Sequence, residues 1–176
     1  MKNTVVFLLF SFLSLSFFSC SDSETIEVIS EGYIEAKVEG SFFRKDFKFI
    51  NSKEFSLAGI DYNQYFDVNI NLKVNDLNDK IVITIENVTD VGVFEINGLT
   101  STYISFYDGS NKKNYHTNYN FGTGISVGKI TVTKLDKKNK IIEGTFEGRL
   151  LEGQELIEEK IISEGKFSGT YFNLEI

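Results

Sequence analysis

The chain holds one cysteine and one histidine in 176 residues, and those two side chains set what chemistry is open to it. Cys20 follows an apolar run and precedes Ser21, Asp22, Ser23 and Glu24, the setting of a thiol that is acylated. Diacylation there, with an acyl chain on the amine, makes a multi-chain anchor that holds stably to a bilayer where a single chain does not. Once Cys20 carries lipid, disulfides, thiolate metal sites and cysteine nucleophiles drop out on inventory alone. His116 lies in Asn114-Tyr115-His116-Thr117-Asn118-Tyr119-Asn120. A serine triad would have to use it, no nucleophile elbow is read in the chain, and the imidazole is expected to be an exposed loop or strand residue, not a general base. Zinc sites draw on several His or Cys, so neither a metal nor a cofactor is expected.

Oxygen-bearing side chains are plentiful. A glycosidase needs only two carboxylates about 5 to 9 Å apart, but 25 Asp and Glu on solvent faces generate accidental pairs, and none is marked by an apolar surround. The chain is therefore read as non-enzymatic. Asn75-Asp76-Leu77-Asn78-Asp79 concentrates oxygen ligands without the spacing or terminal Glu of an EF-hand, and reads as a turn whose side chains cap their own backbone. The richest contact segment runs from Tyr103 to Phe121, where tyrosines and phenylalanines interleave with asparagines and lysines. Rings stack on sugar faces while amides bond hydroxyls, and Tyr and Asn also suit protein contacts. Tyr103, Tyr107, Asn114, Tyr115 and Tyr119 are thus the candidate binding residues, with a glycan or a protein as partner. The alternative is packing: Tyr103, Ser105 and Tyr107 on one face of a strand, Ile104 and Phe106 on the other, with Tyr115 and Tyr119 at a sheet rim.

What must position these residues begins with a leader. Lys2 supplies a positive start and Val5 to Phe18 an apolar stretch of signal-peptide length, short of the roughly 20 residues that span a bilayer core of about 30 Å. Ser19 is the small residue a lipobox needs before its cysteine, and Phe17 stands where Leu is usual. Three parts follow: residues 1–19 as lipoprotein signal peptide, 20–31 as lipidated cysteine and flexible tether, and 32–176 as one domain. Ser21 to Ser30, rich in Ser and Glu, has a typical reach of roughly 18 Å by square-root scaling. Removing residues 1–19 leaves 17 Lys and Arg against 25 Asp and Glu, a formal charge of −8. That balance argues against nucleic acid as a partner. The short basic groups Arg44-Lys45, Lys112-Lys113 and Lys137, Lys138, Lys140 read as solvated loop charges.

The domain's period is two. Phe66, Val68, Ile70, Leu72 and Val74 alternate with Asp67, Asn69, Asn71 and Lys73, and the pattern recurs in Ile34, Ala36, Val38; in Ile81, Ile83, Ile85; and in Ile142, Gly144, Phe146, Gly148, Leu150. Turn chemistry predicts hairpins at Val38-Glu39-Gly40-Ser41, Asn75 to Asp79, Asn97-Gly98, Asp108-Gly109 and Asp136 to Lys140. Gln154 to Ile162 reads as a hairpin, not a helix. The chain lacks proline, so Lys129, Glu143 and Lys166 are expected to discourage edge pairing. The sum is an all-β chain, an antiparallel β-sandwich or flattened barrel of about ten strands.

Several segments together carry a resemblance: Cys20 with its acidic and serine followers, Ala36-Lys37-Val38-Glu39-Gly40 with Phe43, Gly128 to Asp136, Gly144-Thr145-Phe146 and Gly165-Lys166-Phe167. The chain resembles a family of uncharacterised Bacteroidota lipoproteins that join a lipidated tether to a single all-β domain, departing from it in carrying Phe43 where many relatives have Trp. In that phylum an acidic run after the lipidated cysteine, matched here by Asp22 and Glu24, implies the outer face of the outer membrane. The resemblance implies no activity and no catalytic residues. Two readings of the domain follow. One is a non-catalytic cell-envelope lipoprotein that binds or supports. The other is a lipocalin-like barrel around a small apolar ligand, for which Gly144 and Gly148 offer either room or close sheet packing.

Overall fold

A computed structural model describes residues 30–49, 58–62, 68–72, 79–117, 125–152 and 158–173. Cys20, the leader and nearly all of the expected tether lie outside these, as do Tyr119, Phe66 and most of the Asn75 to Asp79 turn. Among the described residues there is no helix. There are twelve strands rather than about ten: β1 (Ser30–Val38), β2 (Ser41–Phe49), β3 (Ala58–Tyr62), β4 (Val68–Leu72), β5 (Lys80–Ile85), β6 (Gly92–Ile96), β7 (Tyr103–Asp108), β8 (Lys113–His116), β9 (Gly128–Asp136), β10 (Ile141–Glu152), β11 (Glu159–Thr170) and β12 (Phe172–Asn173). β1 begins at Ser30 and pairs from there with β2.

The strands form one sheet in the order β12-β3-β4-β5-β7-β8-β10-β11-β1-β2, with β9 pairing β10 and β6 pairing β9 off that path. Every pairing is antiparallel except β12 with β3. The sheet does not close into a barrel; its two arms fold over one core, as in a sandwich. The fork is β10. One edge follows β11 throughout. The other gives Ile141–Gly148 to β9 and Leu151 and Glu152 to β8.

Period two does what it predicts on β10: Ile142, Gly144, Phe146, Gly148 and Leu150 are buried, while Thr145, Glu147 and Arg149 are exposed. Ile81, Ile83 and Ile85 of β5 face them from the other arm, each with no exposed surface, in one cluster with Ile34, Ile104, Ile130 and Phe167. Fully burying such a side chain contributes about 1.5–3 kcal/mol. The glycines of β10 answer the question of room. A methyl group on Gly144 would lie 2.4 Å from the Phe167 ring and from the Thr131 carbonyl, and one on Gly148 would meet Thr117 Cγ2 at 3.2 Å and Ile104 Cδ1 at 3.4 Å. Both gaps are filled by protein.

The turns obey local chemistry. Glu39 and Gly40 both take positive φ, 50° and 78°, the two-residue turn that matches strand twist. The β7–β8 and β9–β10 turns repeat one device. Asp108 accepts from the amides of Ser110 and Asn111 and from Asn111 Nδ2; Asp136 accepts from the amides of Lys138 and Asn139 and from Asn139 Nδ2. Lys112 and Lys140 close the two turns at φ 58° and 55°. Leu151 pairs with Glu159 across β10 and β11, so 159–162 is strand, as the hairpin reading required, while 154–157 lie outside the described residues.

Three expectations fail. Asn97-Gly98 turns the chain, but β6 pairs β9 and β7 pairs β5; the turn leads between arms of the sheet and makes no hairpin. Lys129, Glu143 and Lys166 sit on interior strands β9, β10 and β11, where they join cross-strand ion pairs instead of guarding edges. Arg44 and Lys45 lie in β2 and Lys113 in β8, not in turns. The first two errors have one cause: strand order is set by non-local packing, which the two-residue period does not encode.

Replacing Gly144 by Ala forces a methyl group into backbone and ring at once, and overpacking of this kind costs about 1–3 kcal/mol. Denaturant unfolding of the Gly144→Ala protein should show that loss with an unchanged slope; a wild-type midpoint would mean that Phe167 does not occupy the space.

Candidate functional site

β7 and β8 place the predicted contact segment on two opposite faces. Register sets Phe106 against Tyr115 and Tyr107 against Asn114, and β7 pairs on its far side with β5. Three cross-strand rows therefore share the outer face: Lys80, Tyr107 and Asn114; Val82, Ser105 and His116; Thr84 and Tyr103. Tyr103 and Tyr107 are half-buried and Asn114 is exposed. The Tyr103 and His116 rings stand 6.1 Å apart, tilted by 43°. Burial lowers the His116 pKa, so at neutral pH its imidazole is uncharged and presents one donor and one acceptor. Tyr103 and Tyr107 are four residues apart, about 13 Å at about 3.3 Å per residue.

Tyr115 is not part of that face. Its side chain has no exposed surface and its ring packs at 6.3 Å from Phe106 inside the core. It belongs instead to a charged cluster on the inner side, at one end of the sandwich. Lys113 Nζ donates to Glu152 Oε2 at 2.8 Å and to Glu158 Oε2 at 2.7 Å. Lys160 Nζ stands 5.4 Å over the Tyr115 ring and 3.9 Å from both Asp108 and Glu158. The Tyr115 hydroxyl is buried with no partner in hydrogen-bonding geometry. Desolvation, with a lesser contribution from the Glu158 carboxylate, pushes its pKa up to about 12. Lys113 holds Glu158 below the usual carboxylate range, and Ser110 does the same for Asp108. Lys113, Glu152, Glu158 and Lys160 escaped the sequence reading because they converge from three strands; only the short charged alternation at 158–160 hinted at them.

One motif was also missed. Gly124-Ile125-Ser126-Val127-Gly128 spells Gly-x-Ser-x-Gly. A nucleophile elbow needs a strand-to-helix turn, whereas here β9 follows directly. Ser126 Oγ donates to Glu95 Oε2 at 2.6 Å and to the Gly128 carbonyl at 3.3 Å, so its proton is directed at a carboxylate, with no imidazole among these contacts. Among the described residues no group of three or more His, Cys, Asp or Glu could hold a metal. No helix there is long and apolar enough to cross a membrane.

The faces differ in what they offer. On the outer face of β2, β1, β11, β10 and β9, charges meet in cross-strand pairs, Arg44 with Glu35, Lys37 with Glu164, Lys134 with Glu143, Lys129 with Glu147 and Arg149 with Glu159, and Arg44 also pairs with Asp46 along β2. Such exposed pairs each contribute little to stability, but they leave those charges committed. Between them lies a shallow groove of about 270 Å³ lined by Lys129, Thr145, Glu147, Glu164 and Lys166. The outer face of β5, β7 and β8 is, apart from Lys80, uncharged: aromatic or polar side chains with Val82 among them. No protein-family model, no curated protein and no solved structure matches the chain.

An unpartnered buried hydroxyl costs about 1–3 kcal/mol, so Tyr115→Phe should raise stability by about 1 kcal/mol near neutral pH. Because the folded pKa exceeds the ordinary value of 10, the neutral phenol stabilises the fold fully below pH 10, and that contribution is lost as pH rises through about 12. Unfolding curves across pH 8–12 should therefore show the variant losing less stability than the parent. A variant destabilised near neutral pH would reveal a working Tyr115–Glu158 hydrogen bond instead.

Proposed function

We propose that the chain is a non-catalytic cell-envelope lipoprotein that binds a glycan on the outer face of β7 and β8. The single observation that carries this reading is the pairing of two half-buried tyrosines about 13 Å apart along one strand with Asn114 and an uncharged His116 beside them. Tyrosine rings give apolar planes for sugar stacking, and the Asn114 amide and tyrosine hydroxyls give directional bonds to sugar hydroxyls. The ion-paired opposite face supports the same choice, since a ligand there would have to compete with existing partners. A lipocalin-like interior has no matching support: the sheet is open, and Phe167, Thr117 and Ile104 fill the space beside Gly144 and Gly148.

The address rests on Cys20 and its acidic followers. In this reading Cys20 carries the lipid, residues 20–31 tether the domain, and the protein sits on the outer face of the outer membrane of a Bacteroidota cell, with the membrane, a glycan or a protein, and no nucleic acid as partners. The resemblance to the lipoprotein family supports the same assignment.

An array of neutral oligosaccharides should retain the full chain, and Tyr103→Ala or Tyr107→Ala should each weaken retention by about tenfold or more, as expected for a central aromatic contact. Cys20→Ser should move the protein from the membrane fraction to the soluble one. Retention unchanged in both tyrosine variants would overturn the glycan site; a membrane-bound Cys20→Ser protein would overturn the anchor.

A further inference from the structure

We propose that β6 is the pairing edge for a second copy of this chain, joined antiparallel about a two-fold axis through Val93. Among the described residues β6 pairs only with β9, which leaves its other edge with unpaired backbone donors and acceptors, a template for one more strand. Val91 and Val93 are 52% and 59% exposed on its outer side. The contrast with β2, which ends the long path of the sheet, is direct: β2 alternates Arg44, Asp46 and Lys48 along its outer side, whereas β6 carries one charge, Glu95.

The register follows from the side chains. An axis through Val93 sets Val93 against its own copy, Phe94 against Gly92, and Glu95 against Val91. A methyl group on Gly92 would meet nothing closer than Phe94 Cε2 at 3.9 Å, so the space over it is open, while Phe94 is only partly buried against the core. The fold already covers glycines this way, with Phe167 opposite Gly144 and Phe146 opposite Gly165. The two Glu95 carboxylates fall about 13 Å apart along the strands, and each is bonded to its own Ser126. A chain of formal charge −7 thus meets its copy at this edge without like charges opposed. Strands of five residues make a small contact beside the roughly 1,200 Å² of a standard interface, so the pairing is weak and concentration-dependent.

Single-cysteine variants read both the pairing and its register. In the full chain with Cys20→Ser, in detergent, Val93→Cys places two thiols on directly opposed residues, within disulfide reach, whereas Val91→Cys places them about four residues out of step and beyond it. Mild oxidation should give at least ten times more covalent dimer from Val93→Cys, and sedimentation velocity of the Val93→Lys chain should show the concentration-dependent dimer lost. A monomer at every concentration overturns the proposal, as does equal cross-linking of the two variants, or cross-linking of Val93→Cys to other proteins in place of its own copy.

Discussion

Everything in this fold hangs from β10, a strand that serves both arms of the sheet at once. Its first part holds β9 and, through it, β6; its end holds β8 and, through it, β7, β5, β4 and β3. Two neighbours can share one strand edge only if they part without colliding, and glycines permit it. Gly128 pairs Gly148 at the parting point, where a methyl group on Gly128 would stand 2.4 Å from the Glu147 carbonyl. Thr117 fills the gap, exchanging backbone and side-chain bonds with Ile104. Arg149 then donates its amide to the Val127 carbonyl, carrying the ladder past the fork. A single extra residue in β11, Glu164 at φ 52°, shifts the register against both β10 and β1, and such a bulge bends its strand and increases local twist.

That architecture also gives the two arms different outer faces. The arm built on β9, β10, β11, β1 and β2 turns its outer face into a lattice of mutual ion pairs, each weak but each occupying the groups a ligand would need. The arm built on β5, β7 and β8 keeps its outer face largely free of charge and stacks Tyr103 beside His116. The inner side at the end of β7 and β8 is closed by Lys113, Glu152, Glu158 and Lys160, whose charges satisfy one another around the buried Tyr115 ring. The proposed binding face and the closed inner end are thus separated by the alternation of one strand pair: Asn114 and His116 outward, Lys113 and Tyr115 inward.

Much of this was legible in the sequence because it is local. Period two named the buried residues of β1, β5 and β10, and the Asp108 and Asp136 turns follow from the Asx side chain's reach to amides two and three residues on. Strand order is not local. Nothing between Ile96 and Tyr103 says that β6 turns to β9, and so Asn97-Gly98 looked like a hairpin and Lys129 like an edge guard. Tyr115 is expected at a surface because aromatic content is read without parity; the Asp108-Gly109 turn sets it opposite Phe106, and the two share the inner face. The inner cluster draws on β8, β10 and β11, and spacing along one strand cannot show it. Cys20 and Tyr119 lie outside the described residues.

Hydrogen exchange resolved to individual segments tests the shared strand directly. If β10 holds both arms, its amides exchange slowest, and β5 and β9, on opposite branches, open together with it in one global event under mild denaturant. A branch through β8, β7 and β5 that exchanges in a separate, lower-energy opening while β9, β10 and β11 stay protected would contradict the account, and would make the chain two independent layers.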